Sequence, residues 1–328
     1  MAQKTLFLIG PGLVGGSLLV KLKQVRPDLA LHALTRRDDQ AAELRSIGVT
    51  PIRGTVTDTA LIKDWVAKAD IVLHCASADD ADGTSAILEA LLARPHDHPR
   101  RAIYIQLSGN DELVHSAKGL GGRSIAERTL SDLHLSDAQL EQRIQPDAYH
   151  RHVDGKLRRE LANPAAEKAH NVVTCIMMPP LIYGVGAEPW RKISIQTPML
   201  AGYMMDKGLA TLPEGHDGAW NCVWVHDLVE QYVLTIQHLE TVEPGDETRT
   251  HYVFPAEAQP FSWKEHFDAV AGEIKRLGHP AAAKNGGKPI VLQSEDEFRE
   301  FVGGKDNGYS ECFGYLVWSK ENSYTSPE

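Results

Sequence analysis

The chain has 328 residues, 42% apolar and 24% charged, a globular composition that excludes collagenous, low-complexity and disordered classes. At ~150 residues per domain, the length fits one large domain or two coupled ones. The formal net charge of −10, from 34 basic and 44 acidic residues, argues against broad gripping of nucleic acid or an anionic membrane; a local basic pocket for a phosphate remains compatible with it.

Cys75, Cys175, Cys222 and Cys312 stand far apart and read as free thiols of a reducing compartment. The histidines show no H-E-x-x-H spacing, so no metal is expected. Thr5 to Val20 is the one stretch resembling a membrane or signal segment. It is too short to span a bilayer, and glycines and a proline interrupt it. A cytoplasmic protein is expected.

The first 110 residues alternate short apolar runs with helical patterns. Leu6 to Ile9 reads as a buried strand, Ser17 to Gln24 as helix, Leu29 to Leu34 as strand and Asp38 to Ile47 as helix, ended by Gly48. Val49 to Arg53 is a strand weakened by Pro51. Helix is expected at Leu61 to Lys68 and Thr84 to Ala93, strand at Ile71 to Cys75 and Ala102 to Leu107. Such alternation means βαβ units and a parallel sheet covered on both faces. Asn110 to Pro146 is a long polar excursion, of the length usually kept for function. A helix at Asp147 to Ala162 and a strand at Val172 to Met177 follow. The late segments, including an Asp227 to His238 helix and a Tyr252 to Phe254 strand, are less regular. The expected architecture is a Rossmann-type, doubly wound α/β sheet. Residues 1–178 would form the dinucleotide-binding domain, its sheet completed near 220–256, and 179–328 mainly a smaller substrate-binding cap.

Gly10-Pro11-Gly12-Leu13-Val14-Gly15 fits G-x-G-x-x-G between a strand and a helix, the context that gives the pattern meaning. The first glycine makes the turn, the second admits a pyrophosphate against the backbone, and the third lets helix and strand pack. The helix N-terminus, at Leu13 and Val14, offers unbonded N–H groups to the phosphates. The second strand ends in Thr35-Arg36-Arg37, with no carboxylate for a ribose 2′-hydroxyl. Arg36 and Arg37 suit a 2′-phosphate, which favours NADP(H) over NAD(H). Asp38 and Asp39 offer the ribose contact if the strand ends later.

The segments GPGLVGG at Gly10, GTVTD at Gly54, HCAS at His74, YIQLSG at Tyr104, PPLIYGVG at Pro179 and WNCVWVHDL at Trp220 carry a resemblance over Leu6 to about Trp263. The chain resembles the short-chain dehydrogenase/reductase superfamily in its extended or atypical branch, and more closely the epimerase/dehydratase-like proteins known mainly from fungi. The resemblance implies an adenine contact at Asp58, a cofactor-lining turn at Ala76 and Ser77, and Pro179 near the nicotinamide. It implies that Ser108, at the end of the fifth strand, polarises the substrate.

That superfamily normally places Tyr-x-x-x-Lys on the helix after the excursion. Here Lys156 is the candidate lysine, and His152 stands four residues before it. Three readings stay open: His152 takes the tyrosine's place, Tyr149 reaches down from one turn earlier, or proton relay is lost and the site only binds cofactor. The expected function is reduction, oxidation or epimerisation at a carbonyl or hydroxyl of a small organic metabolite. A non-redox isomerase or cyclase, and an NADP-sensing regulatory protein, are the alternatives. The expected partners are a small-molecule substrate and neither nucleic acid nor membrane, in a monomer or homodimer.

Overall fold

The computed structural model describes residues 3–113, 132, 135–144, 146, 148–190, 192–216, 218–257, 259–303 and 317. Cys312 and Arg191 lie outside them.

Seven strands form one parallel sheet: β1 (Lys4–Ile9), β2 (Leu29–Thr35), β3 (Thr50–Arg53), β4 (Ile71–His74), β5 (Ala102–Leu107), β6 (Val172–Met177) and β11 (Tyr252–Val253). Their spatial order is β3-β2-β1-β4-β5-β6-β11. Strand order reverses between β1 and β4, and a doubly wound sheet binds ligands in the crevice that this switch opens at the strands' carboxyl ends. Period-two geometry sorts β1 between two cores. Phe7 and Ile9 face one side, Leu6 and Leu8 the other, and all four are wholly buried. Removing one such leucine side chain costs about 2–5 kcal/mol. Pro51 is tolerated because β3 is an edge strand, where a missing N–H breaks no ladder.

The helices beside β1 to β5 are α1 (Leu13–Val25), α2 (Asp38–Ser46), α3 (Thr59–Lys68) and α4 (Ala81–Leu92). Gly48, at φ +76°, turns the chain just past α2. After the excursion come α5 (Asp137–Glu141), opened by a capping box at Ser136, then α6 (Arg151–Glu160) and α7 (Pro164–His170). The expected start of α6 at Asp147 moves to Arg151, because His150 sits at φ +63° and interrupts helical geometry. The two-residue strand β11 is the late segment that joins the main sheet, parallel to β6.

Beyond β6, β7 (Leu181–Tyr183) pairs with β10 (Cys222–Trp224), and α9 (Val225–Leu239) packs back onto α1. Asp227 lies in the first turn of α9, whose N-cap is Trp224. The remaining strands and α-helices among the described residues are β8 (Ala210–Thr211), β9 (Ala219–Trp220), β12 (Phe261–Ser262), β13 (Ile290–Val291), α8 (Gln196–Lys207), α10 (Trp263–Arg276) and α11 (Glu295–Phe301). Here α8 packs on α10 through a core that includes Leu200, Met204, Trp263 and Phe267. Among the described residues, no helix is long and apolar enough to cross a membrane.

Candidate active site

The glycine loop turns at Gly10, whose φ of +88° suits glycine, and a Cβ there would run into the Ala76 backbone. A Cβ on Gly15 would strike the Gly10 carbonyl, so this glycine is needed for close packing of α1 on the loop. Gly12 differs: a Cβ there would meet nothing nearer than the Gly10 carbonyl at 3.9 Å. No packing demand explains it, and the space beside it is what a pyrophosphate needs. No side chain caps α1, and its first turn holds no acid. The leading N–H groups, which an α-helix cannot bond internally, therefore face that space.

The end of β2 is tied to the glycine loop. Thr35 is the last strand residue; its Oγ1 donates to Gln40 Oε1 at 2.7 Å, and Gln40 Nε2 donates to the Pro11 carbonyl at 2.7 Å. This bridge ties the strand end to the glycine loop. Arg36, next in line, is exposed and unpaired among the described residues. Arg37 instead forks onto Asp39, and Arg53 holds Asp38 at 3.0 Å. Asp38 and Asp39 are thus taken by arginines, and the free guanidinium is that of Arg36. Asp58 sits at the N-cap position of α3 and accepts from the Thr55 N–H at 2.6 Å. Ala76 and Ser77 lie exposed past the end of β4, and Ser77 Oγ accepts from the Asp79 N–H at 3.2 Å. Pro179 is buried, its carbonyl accepting from the Asn110 N–H at 3.1 Å.

Ser108 follows β5 directly, and its Oγ donates to Asp154 Oδ2. Asp154 lies on α6, so this hydrogen bond fixes which face of that helix meets the sheet edge. Residues 152 and 156 are each two positions from Asp154, about 200° around the helix. His152 accordingly points outward, its side chain 56% exposed and its Nε2 3.9 Å from Asp79 Oδ1. Lys156 Nζ donates to Ser85 Oγ on α4 at 2.7 Å. The structure therefore does not bring His152 and Lys156 to Ser108. Tyr149 is exposed on the approach to α6.

What stands beside the sheet edge is His150, which the sequence reading passed over. Its Nδ1 is 2.8 Å from Asp79 Oδ1 and its Nε2 3.1 Å from Asp111 Oδ1. Burial alone would lower its pKa, but the hydrogen bonds it donates to Asp111 and Asp79 outweigh it and push the imidazole up to about 11. His150 is therefore an imidazolium at neutral pH. It joins the turn after β4 to the short 3₁₀ turn Asn110–Leu113 after β5. A Cβ on Gly109 would meet Asp111 Oδ1 at 2.5 Å and His150 Nε2 at 3.2 Å, so the pair lies directly against the residue after Ser108. His150 and Asp154 carry the four-residue spacing sought for tyrosine and lysine, two residues earlier in the chain. That spacing was the signal that could have found them.

Beneath them lies a buried ionic chain. Asp154 and Glu112 are wholly buried, Arg151 bonds both Glu112 and Glu141, and Tyr252 donates to Glu141. Burial, together with the neighbouring Asp154 charge, pushes Glu112 well above the usual carboxylate range. Burial raises Asp154 as well, against the hydrogen bonds from Glu112 and Ser108. Among the described residues, no group of three or more His, Cys, Asp or Glu is arranged to hold a metal ion.

Residues 10–144 match the family model described as NAD(P)H-binding. That segment carries the glycine loop and strands β2 to β5. It is 24% identical over 289 residues to an oxidase, ucsJ, of Acremonium sp, covering 86% of this chain and 80% of that one. A ketoreductase of Stigmatella aurantiaca, named for a farnesylated dihydroquinoline oxide, is 30% identical over 84 residues, 26% of this chain and 25% of that one. Among solved structures, the UDP-glucose 4-epimerase of Thermotoga maritima superposes with a TM-score of 0.57 at 12% identity, over 97% of this chain and 98% of that one. The fold of this chain is thus the Rossmann-like fold of that epimerase.

Proposed function

We propose that the chain is an NADP(H)-dependent oxidoreductase or epimerase acting on a carbonyl or hydroxyl of a small organic metabolite. The observation that carries this reading is the joint placement, at one sheet edge, of an uncapped glycine-loop helix, an unpaired Arg36 and Ser108. Leu13, Val14 and Gly15 would hold the pyrophosphate through their N–H groups, with Gly10 and Gly12 giving it room. Arg36 would hold the 2′-phosphate as a charge-assisted fork, and Arg37, already committed to Asp39, would support it through charge. Asp58 would meet the adenine, Ala76 and Ser77 would line the dinucleotide, and Pro179 would flank the nicotinamide. That cofactor supplies the hydride chemistry when bound; this chain's residues orient the substrate and move its proton.

Residues 179–328 would mainly form the substrate cap, with Rossmann residues 1–178 completed by β11. Tyr183, Val185, Ile193, Ile195 and Trp224 are exposed large apolar side chains around the segment after Pro179. They favour an apolar metabolite, in keeping with the farnesylated compound in the ketoreductase's name.

The helix geometry also favours a second reading, a non-redox isomerase or cyclase in which the nicotinamide stays inert. Neither a tyrosine nor a lysine of α6 meets Ser108, and His150 is committed to two carboxylates. Titration with NADPH and with NADH, read by fluorescence, tests the cofactor assignment. Incubating the NADPH complex with a carbonyl panel then tests net reduction, which consumes NADPH; an epimerase returns its hydride, so dependence of turnover on bound dinucleotide is what separates it from a non-redox isomerase.

A further inference from the structure

We infer that Ser108, Asp154 and Glu112 form a proton relay serving a substrate oxygen at the sheet edge. This rests on the reading of a carbonyl or hydroxyl substrate and names the groups that move its proton.

The hydrogen-bond inventory leads there. Asp154 Oδ2 accepts from Ser108 Oγ, and Glu112 Oε1 accepts from Arg151 Nη1 at 3.2 Å. Two oxygens are left over, Asp154 Oδ1 and Glu112 Oε2, both buried and without another partner among the described residues. The two side chains are in hydrogen-bond contact, and both residues are 0% exposed. Two buried carboxylates in contact cannot both stay ionised. One proton on Glu112 Oε2, donated to Asp154 Oδ1, satisfies both oxygens. The direction of the Glu112 shift, far above the carboxylate range, agrees with that placement. Asp154 is then an anion whose outer oxygen already receives the Ser108 hydroxyl.

In the oxidative direction, the substrate O–H bond breaks as Ser108 Oγ takes its proton. The Ser108 O–H bond breaks in turn as Asp154 Oδ2 takes that proton. The electron pair left on the substrate oxygen closes the carbonyl as the hydride leaves to the oxidised dinucleotide. Asp154 ends neutral; reduction runs the same steps backward. Ser108 touches the substrate, while Asp154 and Glu112 are positioning residues acting through it.

Infrared spectroscopy of the whole protein at pH 7 tests the shared proton. One neutral-carboxyl band should be present, shift when glutamate carboxyls carry carbon-13, and vanish in Glu112→Gln. The isotope shift reports even if that variant fails to fold. No such band overturns the relay.

The second arm uses NADPH with a panel of small ketones, diketones and quinones. Asp154→Asn should lower kcat by about 100-fold or more, flatten its pH profile and leave NADPH affinity unchanged. An unaltered pH profile, or a wild type that binds NADPH yet consumes none, reduces the trio to a structural hydrogen bond and overturns the relay. Failure to bind NADPH overturns the dinucleotide reading instead, and the infrared band then decides the shared proton.

Discussion

Asp111 Oδ1 lies 3.1 Å from Nε2 of His150, which pins the turn after β5 to the residue that opens α6. The second ring nitrogen does the same for Asp79 and the turn after β4. Because the folded pKa is raised, the stability this charge contributes is complete below about 6.5 and is lost as pH rises toward about 11. Melting temperatures of wild type should therefore fall between pH 7 and 10 more steeply than those of His150→Gln. At pH 7 the variant should lose about 1–3 kcal/mol, because two carboxylates lose their common partner. Parallel pH slopes for both proteins would refute the imidazolium assignment.

Arg36→Glu should weaken NADPH binding by about 10–100-fold, the worth of a charge-assisted phosphate contact, and leave NADH binding nearly untouched. Paired titrations read it directly. Equal losses for both cofactors would remove the 2′-phosphate from Arg36.

Gly10→Ala and Gly12→Ala should fail differently. The first puts a Cβ into the Ala76 backbone at a φ of +88° and should destabilise the fold by several kcal/mol. The second meets no protein atom nearer than 3.9 Å, so it should melt like wild type while losing dinucleotide affinity. Calorimetry with a cofactor titration separates the two effects, and a Gly12→Ala protein that binds normally would mean the space beside Gly12 is not the pyrophosphate site.

Lys156→Met should leave NADPH affinity within a few-fold of wild type, since its ammonium is bonded to Ser85 on the α4 side. His152→Phe should likewise leave turnover intact, as its ring faces outward. A large loss of cofactor affinity in the lysine variant would show that the helix turns when the dinucleotide binds.

His266 supplies an acid-side test. Burial lowers its pKa to about 4, so stability present above 6.5 is lost as pH falls toward 4. That amounts to about 2 kcal/mol between pH 7.5 and 5. Denaturant unfolding of wild type and His266→Gln at both pH values should show the variant losing less. Its ring packs on Phe261 and Trp263 and meets Thr197 Oγ1 at 3.2 Å, so some loss at pH 7.5 is expected too.

The inner strands of the sheet were readable because they are buried on both faces. Leu6–Ile9 and Val172–Met177 leave no polar alternation to confuse with helix, and Gly10 and Gly48 mark the turns that follow β1 and α2. The glycine loop was readable for a related reason: close backbone approach at Gly10 and Gly15 demands glycine. The inner site was harder. One residue in left-handed geometry, His150, shifts where α6 begins, and helix phase decides whether 152 or 154 meets Ser108. Nor does spacing disclose that Glu112, Arg151 and Glu141 meet, since that contact depends on how the excursion folds back.

The pairing of β11 with β6 bears on how the chain can be cut. Tyr252 and Val253 cover the outer edge of β6, some 75 residues away in sequence, and α9 closes over α1 from the same late stretch. A fragment ending near 178 would leave the Ile176 and Met178 N–H groups, bonded in the whole chain to the carbonyls of His251 and Val253, on a bare apolar edge, a template for pairing with other chains. During synthesis the same edge stays uncovered until the later residues emerge. Expression of the first half alone should thus give aggregates, and the two halves should become soluble together when co-expressed.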